Sequence, residues 1–123
     1  MLQHKVLRGV GSERLVVVYD DLDLGFGASK MSFNRSSGGH KGVESIIKSI
    51  KTEAFARVRV GISPTTPAGK MKKPSGEAAV EKLILGEFKS DEMADLKKLS
   101  KKVNEALELF VFRGREVAMS SFN

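Results

Sequence analysis

The chain has 123 residues, no cysteine, two histidines and a formal net charge of +6 at pH 7. That length suits one compact domain with its own core, and the lack of cysteine excludes disulfides and thiolate metal sites. No run approaches the roughly eighteen apolar residues of a membrane span, His4 and His40 alone are too few for a structural zinc site, and the basic surplus favours anionic partners, nucleic acid above all.

Residues 1–10 read as the end of an amphipathic helix, with Leu2, Val6, Leu7 and Val10 at helical spacing. The stretch is basic and has no apolar h-region, so it is not a secretory signal, and a mitochondrial transit peptide is the alternative reading. Gly11-Ser12 ends it. Leu15-Val16-Val17-Val18-Tyr19 follows, apolar on both faces, which is the pattern of a central buried strand. Asp20, Asp21 and Asp23 lie where this strand ends, before Gly25 and Gly27. Open α/β sheets place their ligands at the carboxyl ends of such strands.

Residues 28–34 are predicted as a second, more exposed strand, and Ser36-Ser37-Gly38-Gly39 as a turn into a helix over residues 40–51. Val43, Ile46, Ile47 and Ile50 repeat there at i, i+3, i+4 and i+7. Residues 55–62 alternate, with Val58, Val60 and Ile62 on a core face and Arg57 and Arg59 on a basic one. Residues 63–76 hold all three prolines and read as a surface loop with solvated lysines at Lys70, Lys72 and Lys73. Residues 79–85 offer a short strand ending at Gly86. Ser90 is the predicted N-cap of a long helix, with Asp91 and Glu92 in the first turn where the dipole favours acids. Its core stripe is Met93, Leu96, Leu99, Val103, Leu107 and Phe110, Arg113-Gly114 ends it, and residues 117–122 close the chain.

Strands alternating with helices predict an α/β domain spanning residues 1–123, its sheet covered on both faces as the middle of three layers. About four strands are in view, and the central-looking one comes first, as though earlier strands belonged beside it.

Four stretches together resemble peptidyl-tRNA hydrolases of the bacterial type. They are residues 16–24, Gly38-Gly39-His40-Lys41-Gly42-Val43 with Ser45-Ile46-Ile47, Arg57-Val58-Arg59-Val60-Gly61-Ile62, and Leu83-Ile84-Leu85-Gly86. The resemblance covers the chain from about Leu15 onward and loosely includes the preceding helix. It implies that family's fold without its N-terminal strands. The activity implied is hydrolysis of the ester between a peptide and the terminal ribose of tRNA, without metal or organic cofactor. It also implies a monomer acting on tRNA in the cytoplasm or in an organelle, with no membrane partner.

In that family a histidine is the general base and an aspartate at the strand end orients it. Asp20 matches the aspartate. The histidine matches no position here: His4 falls in the preceding helix, and His40 belongs to the Gly-Gly-His turn. The expectation is an incomplete site, with little hydrolysis by residues 1–123 alone. Gly39, His40 and Lys41 match a substrate-binding turn, in which Lys41 stands where many relatives have asparagine. Lysine can donate to a developing oxyanion but cannot accept, so it could not orient water as an amide does. For tRNA, Arg59 matches a phosphate-gripping position, and Lys30 lies near a second whose own position is Ser32.

Plainer readings stand beside these. Asp20 could cap a turn, Asp21 and Asp23 could be solvated turn-formers, and the glycine turn could be a tight loop. His40 could be a satisfied structural histidine, and Arg57 and Arg59 the polar face of an edge strand. At the level of the protein, the alternatives are a catalytically inactive tRNA- or RNA-binding module and a poorly folded fragment with an open sheet edge.

Overall fold

A computed structural model describes residues 11–66, 71–86 and 90–123. The helix predicted over residues 1–10, together with His4 and Lys70, lies outside the described residues. A short 3-10 turn, Ser12–Arg14, leads into β1 (Val16–Gly25), and β2 (Ser29–Phe33) and β3 (Ala56–Ser63) complete a sheet of order β1-β3-β2. β1 is parallel to β3, and β2 is antiparallel to it. α1 (Lys41–Ile50) connects β2 to β3, and α2 (Glu77–Leu85), α3 (Ser90–Arg113) and α4 (Arg115–Phe122) follow. The class is α/β with a mixed sheet.

The central strand is β3, where the sequence pointed to β1. Among the described residues β1 has a neighbour on one side only, and Val18 stays 45% exposed. A run of β-branched residues shows that both faces can be apolar; it does not count the strands beside it. β3 is the covered strand, and its basic face is covered too, with Arg57 fully buried and Arg59 8% exposed.

Residues 79–85, predicted as a strand, lie within α2. Glu77, Ala78, Ala79, Glu81, Lys82 and Leu83 are strong helix formers, and over so short an apolar run that preference prevails. α1 matches its prediction: His40 is the N-cap, and Lys51 ends the helix in the left-handed conformation.

Met31, Val58, Ala106, Ala118 and Phe122 form the buried cluster, with Val16, Val60, Val103, Leu107 and Phe110 packed around it. α3 and α4 therefore cover the sheet face that carries Val16, Val58 and Val60. Gly114, at φ 89°, makes the sharp corner between the two helices. The predicted stripe of α3 is buried at Leu99 but not at Met93, which is 45% exposed. At the far end of the chain the Asn123 side-chain amide pairs with β2. Its Oδ1 accepts from Met31 N–H at 2.7 Å, and its Nδ2 donates to Met31 O at 2.8 Å.

One close approach shapes the end of β1. The β1–β3 register breaks between Asp21 and Gly25, and the chain there crosses directly over Gly61. A Cβ on Gly61 would overlap the Gly25 carbonyl oxygen, so the path of residues 21–25 requires glycine at that point.

Candidate active site

The carboxyl end of β1 opens onto a cleft of about 760 Å³. Its walls are residues 19–23 of β1, residues 35–42 of the serine-glycine loop and α1 start, and Lys73 with Glu77, Val80 and Glu81. Gly38 and Gly39 both have positive φ, at 60° and 86°, which lets the chain double back into α1.

Asp20 already holds one imidazole at its Oδ1, contrary to expectation, and its side chain stays 43% exposed. His40 Nε2 lies 2.9 Å from Asp20 Oδ1, and the ring stands edge-on to Tyr19 with centroids 5.1 Å apart. The other ring nitrogen is also engaged, because Nδ1 accepts the Val43 N–H at 3.2 Å and so caps α1. These partners fix the tautomer: Nε2 carries the proton and donates it to Asp20, while the only lone pair of the ring points at a backbone amide. A general base needs that lone pair free to take a proton from water. His40 thus joins the aspartate to the helix start without presenting a base to the cleft.

The other two carboxylates are also matched with cations. Asp21 Oδ2 accepts from Arg59 Nη1 at 2.9 Å, with only about a tenth of either side chain exposed, and Arg59 Nε donates to Ser32 Oγ at 3.0 Å. The register explains the grouping: Arg59 stands opposite Tyr19 on one side and Lys30 on the other, and Asp21 and Ser32 lie two residues along on the same face. Asp21 is therefore a buried partner, although its Oδ1 also accepts the Asp23 N–H as a turn-former would. Asp23 pairs with Lys73 at 2.5 Å, both half exposed. That hydrogen bond, and then the Asp23 charge, hold the Lys73 ammonium above its ordinary pKa.

The structure thus brings Asp20, Gly39, His40 and Lys41 to one cleft and leaves Lys30 exposed outside it. Arg59 does not present a free cation, because its guanidinium is committed to Asp21 and Ser32. Two cleft residues were not assigned to the site from the sequence. Arg35 is exposed beside the glycine turn, and Lys73 reaches the cleft through a contact fifty residues distant that no local pattern encodes. No cluster of three His, Asp or Glu side chains able to hold a metal occurs among the described residues.

The family model described as Peptidyl-tRNA hydrolase matches residues 4–123. The chain is similar to the peptidyl-tRNA hydrolase of Syntrophotalea carbinolica, at 33% identity over 94% of this chain and 56% of that protein. It is also similar to that of Thermotoga petrophila, at 38% identity over 89% of this chain and 54% of the relative. A crystal structure of peptidyl-tRNA hydrolase from Acinetobacter baumannii shares the fold with a TM-score of 0.73 at 23% identity, over 97% of this chain and 56% of that one. The chain spans just over half the length of these relatives, and it belongs to the peptidyl-tRNA hydrolase family.

Proposed function

We propose that this chain carries the orienting and substrate-holding part of a peptidyl-tRNA hydrolase site, acting on the ester between peptide and terminal ribose, and that the general base comes from elsewhere. The observation that carries this reading is the double engagement of His40, which leaves the cleft an oriented carboxylate but no free imidazole among the described residues. Lys41 is exposed at the start of α1, and Gly39 sits beside it with open space above its Cα, so the carbonyl end of a substrate can approach closely. Lys30, Arg35 and Lys41 are exposed and form no ion pair among the described residues, which suits them to phosphates of the acceptor stem. Arg59, matched to that task in sequence, here holds Asp21 in place.

The test is turnover of peptidyl-tRNA by residues 1–123. General base catalysis is worth about 10²–10⁴-fold, so the chain alone should fall short of a full-length relative by a factor of that order. Equal turnover overturns the reading.

A second reading, an RNA-binding module without chemistry, is favoured by the same three free cations. Removing any one of them should weaken RNA binding and lower the slope of log affinity against log salt by about one, while Asp20→Asn leaves affinity unchanged. If Asp20→Asn abolishes the residual turnover, the chemistry belongs to this chain and the module reading fails.

A further inference from the structure

Arg57 is the largest fully buried side chain described, and no carboxylate among the described residues answers its charge. Its three nitrogens donate to main-chain carbonyls: Nε to Phe55 O at 3.2 Å, Nη1 to Ser36 O at 3.3 Å and Nη2 to Glu53 O at 3.1 Å. The guanidinium carbon lies 4.0 Å from the centroid of the Phe55 ring. Burying an unpaired cation is costly, and an apolar side chain would fill the same space without that cost. What an apolar side chain cannot do is hold two separate segments together. Glu53 and Phe55 belong to the turn entering β3, whereas Ser36 opens the loop that enters α1.

We propose that Arg57 is a positioning residue: by fixing the Ser36 carbonyl to the central strand, it sets where the glycine loop delivers His40, and so keeps that imidazole on Asp20. The path between anchor and site is short. Ser37 accepts the His40 N–H at its carbonyl and the Gly39 N–H at its Oγ, and it donates to Glu44 Oε1. Beyond it lie only Gly38 and Gly39, whose backbone freedom would let His40 drift if Ser36 were loose. The planar fork of arginine meets carbonyls in two segments at once, which a compact ammonium cannot, so Arg57→Lys breaks the link while keeping the charge. This inference deepens the reading of the same cleft, and its test reads the imidazole rather than turnover, so the two can fail separately.

The experiment is nitrogen NMR of His40 in the intact chain, with hydrogen exchange at Val43 N–H. In the wild type one tautomer is expected, protonated at Nε2. In Arg57→Lys the ring signals should move toward an average of the two tautomers, and Val43 exchange should quicken roughly fivefold, as loss of an N-cap worth about 1 kcal/mol requires. Met31→Ala, a core truncation remote from the loop, lowers global stability but should leave the His40 signals in place. If Arg57→Lys does not fold, Phe55→Leu removes the ring beneath the guanidinium and should move the same signals in the same direction by less. Unchanged His40 signals in the folded Arg57 or Phe55 variant, or an equal change in Met31→Ala, overturn the proposal.

Discussion

Replacing His40 removes two bonds that different substitutions can separate. Alanine loses both the cap on Val43 N–H and the bond to Asp20, whereas asparagine restores a capping oxygen and is too short to reach the carboxylate. A lost N-cap costs about 1 kcal/mol. The Asp20 bond is shared with solvent, the two side chains being 26% and 43% exposed, so it adds only about 0.5–1 kcal/mol. His40→Ala should therefore destabilise by about 1.5–2 kcal/mol and His40→Asn by about half of that. Urea unfolding at constant m reads both as shifts in midpoint. Asp20→Asn completes the set: it should cost stability in the wild type and nothing further in His40→Ala, because its partner is already gone. Two results refute the reasoning: asparagine as damaging as alanine, which removes the cap, or an Asp20→Asn cost indifferent to His40, which removes the pair.

Gly61→Ala should cost about 1–3 kcal/mol and shift the amide resonances of residues 21–25, since the new methyl displaces the β1 chain where it crosses β3. Lys73 is held above its ordinary value of 10.5 by Asp23, so the link is fully present below that pH and is lost as pH climbs through the raised value. An NMR titration should find it intact at neutral pH and released only in strongly alkaline solution, with salt loosening it earlier because both groups are exposed. In thermal unfolding, Met31→Ala should lower stability by about 2–5 kcal/mol, while Phe112→Ser, at a position 81% exposed, should stay within about 0.5 kcal/mol.

What could be read in the sequence was local. α1 announced itself through the spacing of Val43, Ile46, Ile47 and Ile50, and the strand character of residues 15–19 through its β-branched run. The order of strands was not legible, because the side chains of β1 report apolar faces, whereas β3 is central through pairing that only the folded chain creates. α2 was misread because five apolar residues in a short window fit either period. That Asp20 lines the cleft was legible from its motif and from its place directly after the apolar run of β1. Its bond to His40 was not, since it joins positions twenty residues apart through the trajectory of a glycine loop. Arg57 and Arg59 show the same limit: alternation assigned them correctly to the face opposite Val58, but their burial depends on carbonyls and a carboxylate contributed by other elements.

The sheet's two outer strands are finished differently. Beside β2, the Asn123 amide already occupies the Met31 N–H and C=O, and an incoming strand would have to evict it. Beside β1, nothing among the described residues stands in the way. Among the described residues, strand addition is therefore obstructed beside β2 and open beside β1. Two copies meeting there use up each other's open side, so self-assembly by this route ends at a closed pair instead of growing into a fibre.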